Sequence, residues 1–160
     1  MKTLIIVVLS VVVLLALVFV WGATLPTTKS VSKTIQINAP VEIVWETMSD
    51  WKGQEKWRSD VKSVEILDER SFKEIPTNGP AVEFEIVRLE TNKIIELKMS
   101  GPFKGHYLAE FSDNNGATTI NISETIIQES IIGRILSRLF FDLEEFVAAY
   151  FGQLKLEVER

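Results

Sequence analysis

The chain has 160 residues, no cysteine and a formal net charge of -5, which leaves room for a membrane segment and one domain of ordinary size but not for two folded domains. The missing cysteines exclude disulfides and thiolate chemistry. With Lys2 set aside, the remainder carries 22 acidic residues against fewer basic ones, a balance that argues against a nucleic-acid partner.

Residues Leu4 to Trp21 run LIIVVLSVVVLLALVFVW, broken only by Ser10. At about 1.5 Å of rise per residue this run nearly matches a hydrocarbon core of about 30 Å. A cleaved signal peptide would carry a shorter apolar run and a small-x-small site. The cut that would follow Ala23 puts Trp21 where a small residue belongs, so the reading adopted is a retained transmembrane anchor over residues 1–23. Trp21 suits the headgroup level. For orientation, Lys2 and the amino terminus stand against Lys29 and Lys33, and these nearly cancel under the positive-inside rule. A short lysine-bearing tail tilts the reading towards a cytoplasmic amino terminus and an extracytoplasmic domain. Residues 24–32 contain Pro26 and read as a tether, and residues 33–160 form the domain.

Within that domain, Thr34 to Asn38 alternates as a half-buried strand should, with Ile35 and Ile37 inward. Ala39-Pro40-Val41-Glu42 carries helix-start chemistry, and Val41, Val44, Trp45 and Met48 make one helical stripe. Asp50 can cap a second short helix containing Trp51 and Trp57, which Gly53 weakens. From Val61 onward, strands follow one another between turn signals. Val64 and Ile66 open the series, and Phe72 to Ile75 is closed by Pro76. Val82, Phe84 and Ile86 pair across Thr91-Asn92 with Ile95, Leu97 and Met99 as a hairpin. Tyr107, Ala109 and Phe111 form another face, and Asp113-Asn114-Asn115-Gly116 turns the chain towards Thr118, Ile120 and Ile122. Ile131 to about Glu157 reads as one closing helix, with Ile132, Leu136, Leu139, Leu143, Phe146, Val147, Tyr150 and Leu154 on one broad face. Strands in series before a terminal helix indicate an α+β domain with an antiparallel sheet.

The segment IQINAPVEIVWETMSDWKGQEKWRSDVKSV, from Ile35 to Val64, resembles the opening of the START-like (SRPBCC) superfamily, which includes polyketide cyclases, plant pathogenesis-related proteins and coenzyme Q-binding proteins. The matching positions are Ala39, Pro40, Val44, Trp45, Asp50 and Trp57, and Leu154-Lys155-Leu156-Glu157 resembles the close of that family's last helix. The resemblance implies a helix-grip fold, a curved antiparallel sheet of six or seven strands around a long C-terminal helix, with a hydrophobic cavity between them. It implies no particular reaction.

Few residues suit catalysis. His106 alternates away from Tyr107 and has no cysteine or second histidine to join it in a metal site or a serine triad. Glu83 with Glu85 and Glu144 with Glu145 read as solvated faces. Gly101 to Gly105 reads as a connection between strands, and Asn121-Ile122-Ser123 matches a glycosylation sequon inside a strand. No metal, cofactor or catalytic residue is expected. Trp57, Phe84, Leu97, Met99, Tyr107, Phe111, Leu139, Leu143, Phe146 and Tyr150 are the candidate lining of the cavity. Trp21, Arg134, Arg138 and Phe141 are candidates for membrane contact. The expected function is non-catalytic binding of an apolar small molecule or lipid by a membrane-anchored domain. The alternatives are a cyclase-like or hydrolytic enzyme using Arg88, His106, Tyr107 or a carboxylate, and a platform for a protein partner at the membrane.

Overall fold

The computed structural model describes residues 1–160 and divides into two units. One contains Met1–Thr27 and Gln128–Asp142; the other contains Thr28–Ile127 and Leu143–Arg160. In the first unit, α1 (Lys2–Thr24) is a 23-residue helix that is long and apolar enough to cross a membrane. The second helix of this unit, α3 (Ile131–Phe140), begins where Ser130 Oγ accepts a hydrogen bond from the Gly133 amide.

The second unit is an open seven-stranded antiparallel sheet in the order β1-β7-β6-β5-β4-β3-β2. Its strands are β1 (Thr28–Ile37), β2 (Val61–Asp68), β3 (Ser71–Pro76), β4 (Val82–Glu90), β5 (Ile94–Ser100), β6 (Lys104–Asn114) and β7 (Ala117–Ile127). Between β1 and β2 lie α2 (Val41–Ser49) and a 3-10 turn (Lys52–Lys56), and α4 (Leu143–Val158) closes the chain. The Asp50 side chain accepts from the Gly53 amide at 3.0 Å. A Cβ on Gly53 would lie 1.9 Å from Asp50 Oδ2, so the glycine is what lets this cap form. The β6-β7 hairpin turns through Asn115 (φ 56°) and Gly116 (φ 87°), the left-handed pair that a two-residue hairpin demands.

Register places one row of side chains on the inner face: Val31, Glu124, Tyr107, Leu97 and Ile86 are successive cross-strand partners from β1 to β4. The neighbouring row runs Ile126, Gly105, Met99, Phe84 and Phe72. Irregular register at Val61/Ser63, Ile66/Asp68 and Ile86/Arg88 adds local twist and bend to β2 and β4. The core closes with Val44 and Met48 from α2 and with Leu143, Val147, Phe151 and Leu154 from α4. Thr118, fully buried, donates its hydroxyl to the Ala39 carbonyl at 2.7 Å and so fixes the entry to α2.

Two elements differ from the sequence reading. The strand expected from Thr34 begins at Thr28, so residues 28–32, expected within the tether, are paired along β7. Lys29 and Lys33 occupy inner-face register in this edge strand, where long stems cover apolar surface while the charged heads reach out. The single closing helix expected from Ile131 is two helices, because Phe141 is extended (φ -136°, ψ 116°). Asp142 precedes α4, whose first turn holds Glu144 and Glu145, and acids at such a position start a new helix.

If α4 presents this face, Leu154→Ala, which empties a fully buried position, lowers unfolding free energy by about 2–5 kcal/mol in urea titration. Leu156→Ala, at a position 70% exposed, changes it by less than about 0.5 kcal/mol.

Candidate functional site

The inner face carries charge that the apolar pattern conceals. Arg58, 6% exposed, follows the 3-10 turn. Its Nη1 donates to Gln54 Oε1 and to Glu74 Oε1, each at 2.7 Å. Its Nε and Nη2 donate to the two oxygens of Asp60 at 3.3 and 2.6 Å, a forked pairing that a guanidinium favours. The guanidinium carbon lies 5.1 Å from the centre of the Tyr150 ring, which meets Trp57 edge-on at 5.5 Å. Arg58 therefore ties the 3-10 turn, β3 and α4 to one point.

Burial works against the Arg58 charge, but the fields of Glu74 and Asp60 outweigh it and keep the guanidinium firmly protonated. For Asp60, burial is likewise opposed by Arg58, which holds the carboxyl below its usual range. Burial prevails at Glu74 and lifts its pKa despite the same arginine. A third carboxyl, Glu124 of β7, is 7% exposed. Burial pushes it up to about 7; the opposing field of Arg58 and the reinforcing field of Glu74 are smaller, and no hydrogen bond from the protein is among these influences.

Directly across the β6-β7 ladder from Glu124 stands Tyr107. Its hydroxyl is buried and has no hydrogen-bond partner. Burial, reinforced by Tyr150 and Glu124, raises its pKa well above the phenol range and keeps it neutral. A buried hydroxyl left unpaired costs roughly 1–3 kcal/mol. A neutral phenol and a carboxyl poised near neutrality thus stand side by side, able to donate to and accept from a polar group placed between them.

Of the expected lining residues, Leu97, Met99, Phe111 and Leu143 are buried, and Trp57, Phe84, Phe146 and Tyr150 are half-buried in the same unit as Tyr107. Phe84 stacks on Phe72, which stacks on Trp51. Leu139 is 58% exposed on α3 in the other unit, because the break at Phe141 removes it from the closing helix. Among the expected membrane contacts, Trp21 and Arg138 are exposed, Phe141 follows α3, and Arg134 is half-buried against the end of α1. Arg88 pairs with Glu90 at the surface and His106 Nε2 with Glu96 on the outer face, so neither reaches Tyr107's face. Sequence reading missed Arg58, Glu74 and Glu124. Two of them were open to detection, since Glu124 continues the stripe of Thr118, Ile120 and Ile122, and Glu74 that of Phe72.

The raised Glu124 has a defined linkage. Between its ordinary 4.5 and about 7, the unfolded chain ionises this carboxyl while the folded one retains the proton. The folded state then binds more protons, so stability falls as pH rises through that window, by up to about 3 kcal/mol. Unfolding midpoints measured from pH 5 to pH 8 should decline for the native chain, and Glu124→Gln should remove most of the decline.

Similar solved structures include the Zhui aromatase/cyclase from Streptomyces sp. R1128 (TM-score 0.67, 15% identity, 83% of this chain and 94% of that one). A START superfamily protein from Mycobacterium smegmatis matches with TM-score 0.66 and 15% identity over 81% of this chain and 97% of that one. A conserved protein from Geobacillus kaustophilus matches with TM-score 0.67 and 16% identity over 82% and 95%. At such identities the likeness is one of fold, and it makes the sheet and closing helix a helix-grip domain. No curated protein matches the sequence. The family described as polyketide cyclase / dehydrase and lipid transport matches residues 28–153, and the chain belongs to that family.

Proposed function

We propose that this protein is a membrane-anchored binding module that holds an amphipathic small molecule or lipid between the sheet and α4. Its apolar body would lie against Leu97, Met99 and Phe111, and its polar group against Tyr107 and Glu124. The observation that carries the reading is the unpaired, buried Tyr107 hydroxyl across the ladder from a carboxyl with no protein donor. Native proteins pair such groups, and a ligand carbonyl or hydroxyl is what would pair them here. The family covers both cyclase/dehydrase and lipid-transport proteins, so it is compatible with binding alone. The anchor is the part of this reading that rests on α1, whose length and apolar surface suit a bilayer.

A second reading has a specific observation behind it. A carboxyl near pKa 7 is suited to take up and return a proton at neutral pH, and the Tyr107 hydroxyl beside it could polarise a carbonyl. In a cyclase-like enzyme Glu124 would be the base and Tyr107 the donor. Under binding alone, both are recognition groups and the bound molecule leaves unchanged.

The test is native mass spectrometry with solvent extraction of residues 27–160 purified without detergent. One defined amphipathic species should co-purify. Tyr107→Phe should leave folding stability unchanged or raise it by up to about 1 kcal/mol, since it removes an unpaired group, and yet lose most of the bound material. A native protein that emerges empty, and that no fatty acid, isoprenoid quinone or phospholipid stabilises against heat, contradicts binding. A Glu124→Gln variant that accumulates a molecule which the native chain releases in altered form would favour the enzyme.

A further inference from the structure

The unit built from α1 and α3 contains a joint. Gly22 is the one buried residue of α1. A Cβ there would lie 2.5 Å from Ile135 Cδ1 and 3.0 Å from Ile131 Cγ2, so the glycine admits two isoleucines of α3 against the helix backbone. Arg134, between them in sequence, donates from Nη1 to the carbonyls of Ala23 at 3.2 Å and Leu25 at 2.9 Å. These oxygens close the C-terminal end of α1, where carbonyls lack helical partners and a cation is favoured. The arginine therefore caps the long helix from the side.

At 100° per residue, Ile131 and Ile135 continue round α3 into Leu139, Ile132, Leu136 and Phe140. The last four are 58%, 62%, 51% and 79% exposed. Arg138 and Arg134 lie just beyond Ile131 on the wheel, on the side of α3 away from Leu136 and Phe140. One arc of α3 thus carries both the contact with α1 and four bare apolar side chains, and on α1 Val18 and Trp21, one turn and one residue before Gly22, are exposed. Such an arc, packed on a helix suited to lipid and bordered on one side by two arginines, has the pattern of a helix lying in a membrane interface.

Resting on the reading that α1 spans a membrane, we infer that α3 is an interfacial helix, held by Gly22 and Arg134 with Ile132, Leu136, Leu139 and Phe140 in the leaflet where α1 ends. Its occupant is the bilayer. This places the apolar arc, rather than Arg134 or Phe141, in contact with acyl chains, and leaves Arg138 to the headgroups.

The absence of cysteine permits a clean test with the full chain in vesicles of phosphatidylcholine and phosphatidylglycerol. Single cysteines at Val18, Leu136, Leu139 and Arg138 are labelled in turn with NBD, and lipids bearing a doxyl group in the acyl chain serve as quencher. The expected result is blue-shifted emission and several-fold stronger quenching at Leu136 and Leu139 than at Arg138, with Val18 also quenched. Quenching at Val18 with water-like emission at Leu136 overturns the inference and leaves the anchor intact. Blue-shifted emission at Leu136 that lipid quencher cannot reach overturns it in favour of a protein covering this face. An unquenched Val18, with chains released by alkaline wash, overturns the anchor and the inference together.

Discussion

The buried Arg58 guanidinium is the constraint around which the helix-grip domain is arranged. A charge removed from water must be repaid by geometry, and Arg58 is repaid by the two oxygens of Asp60, by Glu74, by Gln54 and by the Tyr150 face. Removing either carboxylate strips the buried guanidinium of part of its compensation, and removing the arginine leaves Glu74 with burial and the field of Asp60, both raising its pKa. Because those contacts come from separate parts of the chain, this one group sets the distance between the 3-10 turn, the sheet and α4.

The same arithmetic explains why Glu124 differs from its neighbours. One guanidinium faces Asp60, Glu74 and Glu124, and its hydrogen bonds go to the first two and to Gln54. Glu124 feels Arg58 only through space, and Glu74 opposes that pull. Its carboxyl is consequently the group on which burial acts most freely, and it stands in register with a phenol that also lacks a partner. The buried, unpaired Tyr107 hydroxyl and the Glu124 carboxyl therefore stand in register on the inner face, and they are the groups on which the proposed binding rests.

Much of the architecture was legible because alternation and turn chemistry agree. Asn115-Gly116 announced its hairpin, Ala39-Pro40 its helix, and the strand stripes from Val82 to Ile122 their inner face. The residues that escaped did so for physical reasons. Thr28 to Ser32 is polar enough to read as a tether, but an edge strand with only one hydrogen-bonded neighbour, β7, tolerates polar side chains. The apolar positions of Ile131 to Phe140 share a helical period with those of α4, so the break at Phe141 is invisible to a periodicity test and shows only in the acid-rich restart at Asp142. Arg58 was hidden because a charged residue is read as solvated unless its partners are known, whereas Glu74 and Glu124 show only as acids on otherwise apolar stripes.

In the proposed function, Glu124 and Tyr107 form a polar seat for a bound molecule. Its most direct measurement is a carbon-13 NMR titration of the Glu124 side-chain carboxyl, assigned by its loss in Glu124→Gln, in chain stripped of extractable material and again after that material is restored. A midpoint near 7 is expected in the stripped protein, displaced when the extract is returned and not displaced in Tyr107→Phe. A carboxyl that titrates near the ordinary 4.5, indifferent to the extract, would contradict it.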